Sequence, residues 1–172
     1  MKAQWVLLIG CFLSFQGFAE RKSLVDAEKF LEVSKEALQL RRTRVLDSNQ
    51  FLAAMQEKGV LILDARTKAN YDRKHLKGAI NLNFSDFDEH KLKKAVASKE
   101  TKILIYCNNN ILGDQQNFAT KVMVVALNHQ TYIDLYAYGY KNVYELGALV
   151  DINDKRFVFE GTALKRKNAR VK

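Results

Sequence analysis

Ile103-Leu104-Ile105-Tyr106-Cys107 is a continuous apolar run that ends on a thiol. A run of this kind suits a strand buried on both faces of a parallel sheet, where neither side meets water. Working outward, Val60-Leu61-Ile62-Leu63 is a second such run, Val143-Tyr144-Glu145-Leu146 a third strand, and Ala79-Ile80-Asn81-Leu82 a shorter one. Helical segments are expected between them. One starts at Ser48 as N-cap, runs through Met55 and ends with Gly59 as its C-terminal cap; the others are Asp86 to Ala97, Asn117 to Leu127 and Thr131 to Tyr138. Arg156 to Glu160 alternates like a half-buried edge strand. Strands alternating with helices predict an α/β domain with a central, mainly parallel sheet and helices on both faces. Ligands of such sheets gather beyond the carboxyl ends of the strands, and Cys107 occupies that position.

The chain has 172 residues, 48% of them hydrophobic, which is enough for one well-cored domain with extensions. Residues 1–19 read as an export signal: Lys2 gives a positive start, Trp5 to Phe15 is mostly apolar, and Gly17-Phe18-Ala19 offers small residues for cleavage. The apolar stretch falls well short of the roughly 20 residues of a membrane span, so no transmembrane segment is expected. A periplasmic or secreted protein follows. Leu8-Ile9-Gly10-Cys11 has the form of a lipidation box, an alternative opposed by the early position of Cys11 and the apolar residues after it.

Residues 20–44 are expected to form a helical extension. Ser23-Leu24-Val25-Asp26 has the form of a capping box, and Leu24, Phe30, Leu31, Ala37 and Leu38 can share one helical face. That face either packs on the domain or meets a protein partner. The domain itself spans about 45–150, and residues 151–172 add a strand and a basic tail.

The formal charge is +9, and cleavage removes only Lys2, so the mature chain stays basic. Arg41, Arg42 and Arg44 form one cluster, and Lys165, Arg166, Lys167, Arg170 and Lys172 another. Without interleaved aromatics these read as solvated segments and not as a nucleic-acid surface. Cleavage also removes Cys11, one of the two cysteines, leaving Cys107 as a lone thiol that cannot form an intramolecular disulfide. Such a thiol is either buried and inert or reactive.

Leu63-Asp64-Ala65-Arg66, Tyr71 and His75-Leu76-Lys77-Gly78-Ala79-Ile80-Asn81-Leu82 resemble the first half of a rhodanese domain. Ile105-Tyr106-Cys107 resembles its cysteine strand, and Tyr138-Gly139-Tyr140-Lys141-Asn142-Val143-Tyr144-Glu145-Leu146-Gly147 its closing segment. Tyr106 to Asp114 also resembles a bacterial subgroup of exported rhodanese-like proteins with an Asn-rich loop. The resemblance implies a three-layer fold and a cysteine nucleophile that takes a sulfur atom from a donor as a persulfide and passes it on. Asp64, Arg66 and His75 are expected to support the structure, and Gly78 to sit in a turn needing positive φ. His75, His90 and His129 lack ligand spacing, so neither a metal nor another cofactor is expected.

Persulfide chemistry needs a stabilised thiolate, backbone N–H groups around the sulfur, and a positive group for an anionic donor. The first two can come from the loop Asn108-Asn109-Asn110-Ile111-Leu112-Gly113-Asp114, whose asparagines either shape a tight turn or donate amide hydrogen bonds to a substrate. Asp114 opposes a thiolate unless it pairs elsewhere. The third is missing: the family's loop arginine would fall near Leu112 or Gly113, and Asn108 to Thr120 contains no basic residue. Phosphatase activity is therefore not expected. The interval from Cys107 to Gly139 is longer than the resemblance implies, and the added length within Gln115 to Gln130 is expected to form a lid or extra helix.

Three functions remain open on the sequence. One is a sulfurtransferase or persulfide carrier using Cys107, with a small sulfur donor and a protein thiol as acceptor. Another is a catalytically inactive rhodanese-like module that recognises a partner through the loop. A third is a thiol redox sensor.

Overall fold

The structure, a computed structural model, describes residues 23–164. The expected export signal with Cys11 and the basic residues Lys165, Arg166, Lys167, Arg170 and Lys172 lie outside the described residues.

Five strands form one parallel sheet: β1 (Val45–Leu46), β2 (Leu61–Asp64), β4 (Ala79–Asn81), β5 (Ile103–Tyr106) and β7 (Val143–Leu146), in the order β1-β7-β5-β2-β4. Strand β5 lies at its centre, with Ile105 opposite both Leu63 of β2 and Glu145 of β7. Alternation divides the buried residues between two layers. Ile62, Leu104, Tyr106 and Leu146 pack with Phe51 and Ala54 of α2 (Ser48–Ala54). On the other face, Leu63, Ile103, Ile105 and Val143 pack against α1 (Ala27–Arg41), α4 (Glu89–Ala95) and α5 (Leu127–Ala137). The remaining helix, α3 (Lys68–Arg73), leads into β3 (His75–Leu76), which pairs antiparallel with β9 (Phe159–Glu160). The expected edge strand at Arg156 to Glu160 thus shrinks to two residues and pairs outside the main sheet. Strands β6 (Ile111–Leu112) and β8 (Val150–Asp151) make a further parallel pair.

Local chemistry moves several boundaries. Asp47, not Ser48, caps α2: its carboxylate accepts from Gln50 N, and the Gln50 side-chain Oε1 accepts in turn from Asp47 N, both at 2.9 Å. Asp26, not Ser23, caps α1 through Lys29 N. The docked stripe of α1 is Val33, Ser34, Ala37, Leu40 and Arg41, while Phe30, Leu31 and Leu38 are exposed. Of the expected face only Ala37 is buried, because Arg41 docks through its charge and turns the larger apolar side chains outward. The helix expected over Asn117 to Leu127 is replaced up to Ala126 by a 3-10 turn at Met123–Val125, where Val122 to Val125 stand in solvent, and α5 starts only at Leu127. Three β-branched residues within four positions disfavour an α-helix there.

The carboxyl ends of the strands are tied by one buried ion pair. Asp64 and Arg66 are 0% and 2% exposed. The Asp64 carboxylate accepts from Arg66 N at 3.0 Å, Nε at 2.9 Å and Nη2 at 2.6 Å, and from the Tyr106 hydroxyl at 2.6 Å. Arg66 donates further to the carbonyls of Asn117 and Lys74 at 2.9 and 2.7 Å. Burial opposes its charge, but the Asp64 contacts outweigh that effect and hold the guanidinium protonated. Asn81 Nδ2 bonds the carbonyls of Asp64 and Arg66, fixing β4 against the end of β2. Gly78 makes the turn into β4 at φ 82°, as expected.

Removing one partner of a buried, hydrogen-bonded pair strands the other charge. Arg66→Met is therefore expected to lower the urea-unfolding free energy by about 3–5 kcal/mol. Arg156→Met, which breaks an exposed pair with Asp154, is expected to leave the unfolding midpoint nearly unchanged.

Candidate active site around Cys107

Cys107 continues β5 in extended conformation (φ −141°, ψ −176°), so its side chain emerges on the same face as Ile103 and Ile105. The residue before it is locked from the opposite face: Tyr106 OH donates to Asp64 and accepts from Leu76 N at 3.0 Å. The residues after it form a 3-10 turn, Asn108–Asn110, whose three asparagines have different surroundings.

Asn110 joins three elements. Its Oδ1 accepts from Cys107 N at 2.9 Å and from Asn128 Nδ2 at 3.1 Å, while its Nδ2 donates to Leu146 O at 2.7 Å. Asn109 forms a two-bond clamp on Lys121, with Nδ2 to Lys121 O at 2.6 Å and Oδ1 from Lys121 N at 3.0 Å. The amides of Asn109 and Asn110 therefore hold the protein's own loop together. Asn108 is 8% exposed, and its Oδ1 is buried with no hydrogen-bond partner.

The thiol is 2% exposed. Burial pushes it above its ordinary pKa, against the backbone N–H groups of Asn109, Asn128 and Asn110, which approach the sulfur and favour the thiolate. Two of these donors come from the turn. The third comes from the first turn of α5, so the thiol also faces a helix N-terminus. The net direction is the reverse of the lowered pKa that the strand-to-loop placement suggests, because closure of the surrounding chain outweighs the donors.

The rest of the loop folds away from the sulfur. Ile111 is buried, Leu112 is exposed, and Gly113 turns the chain at φ 86°. Asp114 pairs with Lys74 Nζ at 2.8 Å and accepts from Asn117. Burial works against its charge, yet Lys74 and Asn117 hold the carboxyl below the ordinary range. Its charge is thus spent away from Cys107. The added segment after Gly113 is not a free lid, since Phe118 is fully buried beside Arg66 and Phe159 and the Asn117 carbonyl is bound by Arg66, and only its last residues, from Leu127, are helical, as the first turn of α5.

His75 stacks on Tyr71 at 3.7 Å. Its Nδ1 lies 2.6 Å from the Tyr71 carbonyl, which can only accept, so Nδ1 carries the proton. His75 belongs to the scaffold with Asp64 and Arg66. Among the described residues no cluster of His, Cys, Asp and Glu could hold a metal ion.

The carboxylate beside the thiol is Glu145. It stands opposite Ile105 in the sheet, on the face from which Cys107 emerges, and is 5% exposed. Arg41 from the end of α1 grips both its oxygens, with Nη2 to Oε1 at 2.8 Å and Nε to Oε2. Tyr132 of α5 is buried close by with an unpartnered hydroxyl, pushed up to about 12 by burial despite the nearby Arg44 and Arg41. The sequence offered one signal for this cluster, a glutamate inside a buried strand, which must find a partner.

A family model for the rhodanese-like domain matches residues 47–148, more than half of the chain. Among curated proteins, the chain is similar to a tRNA uridine(34) hydroxylase of Aster yellows witches'-broom phytoplasma, 34% identical over 94 residues, covering 53% of this chain and 28% of that protein. It is also similar to a tRNA uridine(34) hydroxylase of Onion yellows phytoplasma, 38% identical over 69 residues, covering 38% of this chain and 22% of that protein. The matched segment is thus about a quarter of those relatives' length. Among solved structures, a rhodanese-like domain from Anabaena superposes with a TM-score of 0.52 at 22% identity, covering 72% of this chain and 83% of that one. A protein from Bacillus halodurans superposes with a TM-score of 0.52 at 20% identity, covering 77% and 87%. At these identities the structural likeness is one of fold. The family match, over the segment that contains β2, β5, β7 and Cys107, shows that this chain belongs to the rhodanese-like domain family.

Proposed function

We propose that this protein is a sulfurtransferase or persulfide carrier that uses Cys107 as its nucleophile. The observation that carries this reading is the place of Cys107 at the carboxyl end of the central strand, directly before the 3-10 turn Asn108–Asn110, where the backbone N–H groups of Asn109, Asn110 and Asn128 favour its thiolate. Such donors stabilise a thiolate and, after transfer, the anionic outer sulfur of a persulfide. The Cys107 thiolate attacks the outer sulfur of the donor, the donor's S–S bond breaks, and the leaving group departs with the bonding electron pair. An acceptor thiolate then attacks the outer sulfur and releases the Cys107 thiolate.

The arginine-free loop offers no cation to the sulfonate end of thiosulfate, so the donor need not be thiosulfate. The similarity to tRNA uridine(34) hydroxylases covers too little of those proteins to support action on tRNA. The N-terminal export signal expected from the sequence would place this chemistry in the periplasm or outside the cell.

A second reading is a catalytically inactive binding module. It is favoured by the 2% exposure of Cys107 and by the engagement of the Asn109 and Asn110 amides within the protein.

Intact-mass measurement after exposure to thiosulfate, polysulfide and glutathione persulfide separates the two. The carrier is expected to gain one sulfur atom from polysulfide or glutathione persulfide, and Cys107→Ser to gain none. An unmodified, alkylation-resistant Cys107 would falsify the carrier and leave the binding module.

The thiol's raised pKa also has a consequence for stability. The neutral form is preferred in the folded state, so this contribution is fully present below the unfolded value of about pH 8.5 and is lost as pH rises through the folded one. The thermal midpoint of the protein is expected to fall more steeply above about pH 8.5 than that of Cys107→Ser. Parallel melting curves over the alkaline range check this.

A further inference from the structure

We propose that Arg41 is a positioning residue for Cys107: by gripping Glu145 it cancels the carboxylate beside the thiol, so the N-terminal helix completes a site whose own loop has no cation. The inference rests on the reading of Cys107 as a group that works in its anionic form.

The geometry begins with the register. Glu145 lies opposite Ile105 in the parallel pair β5–β7, and Cys107 is two residues beyond Ile105 in extended backbone. Cys107 and Glu145 therefore project from one face of the sheet on neighbouring strands. Glu145 is 5% exposed, so water does little to screen it. Burial is the main opponent of ionisation at the thiol, and the negative charge of Glu145 adds to it.

What answers that charge comes from outside the family-matched segment, residues 47–148. Arg41 closes α1 and binds Glu145 through Nε and Nη2, one nitrogen to each carboxylate oxygen. A two-pronged guanidinium grip fixes the charge in place as well as neutralising it. The other groups facing this cluster are Tyr132 from α5 and Arg44 from the segment after α1. Facing the sulfur itself are the N–H groups of Asn109, Asn110 and Asn128. Arg44 is engaged with Tyr144, by a hydrogen bond and by stacking at 4.5 Å over the ring. Arg41 is thus the cation that touches Glu145.

The grip also explains why α1 docks as it does. The helix buries only Ala37 among its residues and leaves Phe30 and Leu31 in solvent, so apolar burial alone gives it little hold. The charged contact at its last turn reaches the strand beside Cys107.

Ultraviolet titration of the thiolate in the full chain, with Cys107→Ser as the blank in each background, tests the inference without any sulfur donor. Arg41→Gln is expected to lower the thiolate-to-thiol ratio at fixed pH by about tenfold, and Arg41→Lys to restore most of it. Glu145→Gln should move the ratio the other way. The double variant Arg41→Gln/Glu145→Gln should return to the wild-type ratio or above it, which damage to folding cannot do. The inference is overturned if Arg41→Gln changes the ratio by less than about twofold, or if the double variant keeps the full loss. Titrations that shift as expected in a protein that takes up no sulfur would refute the carrier reading and leave this inference standing.

Discussion

A buried carboxylate, Asp64, is the constraint on which the carboxyl end of the sheet depends. It is fully shielded from water and accepts from the Arg66 backbone, the Arg66 guanidinium and the Tyr106 hydroxyl. An ionised carboxylate cannot remain in such a place without partners, so every group that satisfies it is held in turn. Tyr106 is fixed one residue before Cys107, and Leu76 N is bound by the same hydroxyl. Arg66 passes the constraint on to the carbonyls of Lys74 and Asn117, and so pins the segment that follows the cysteine loop. The position of the thiol is set by charge satisfaction on one face of β5, while its chemistry is set on the other.

That division explains what could be read from the sequence. The strands β2 and β5 are legible because a strand covered on both faces is apolar along its length, as Leu61-Ile62-Leu63 and Ile103-Leu104-Ile105-Tyr106 are. The position of Cys107 follows from the same run. The segment from Gly113 to Ala126 is not legible in this way. Its conformation depends on Asp114 meeting Lys74, on Asn117 meeting Arg66 and on Lys121 meeting Asn109, and none of these pairings has a local period. The orientation of α1 is misleading for a related reason. Leu24, Phe30, Leu31, Ala37 and Leu38 give the expected apolar face, but only Ala37 of these is buried, and Arg41 makes the charged contact.

The asparagines after Cys107 show how composition can identify a loop without identifying its roles. Three consecutive amides suggest a donor array for a ligand. Asn109 instead mimics a strand partner for the Lys121 backbone, and Asn110 bridges the ends of β5 and β7 and the start of α5. The donors at the sulfur are backbone groups, whose direction depends on the turn and not on the side chains. Glu145 is the counterexample, since a carboxylate within Val143-Tyr144-Glu145-Leu146 is conspicuous in the sequence. Its partner is 104 residues away, on a helix that reads as an accessory.

The two buried carboxylates do parallel work on opposite faces of the sheet. Asp64 shares the face of Ile62 and Tyr106, whereas Glu145 shares the face of Ile105 and Val143. Each is met by an arginine, and each arginine secures a segment added to the sheet: Arg66 holds the insertion after Gly113, and Arg41 holds the N-terminal helix. Docking through charge permits these segments to leave apolar side chains in solvent, as Phe30, Leu31 and Val122 to Val125 do, because their hold on the domain does not require burying them. A charged anchor is also directional, where an apolar face can slide. A thiol whose surroundings must be fixed to within a hydrogen bond is better served by anchors of that kind.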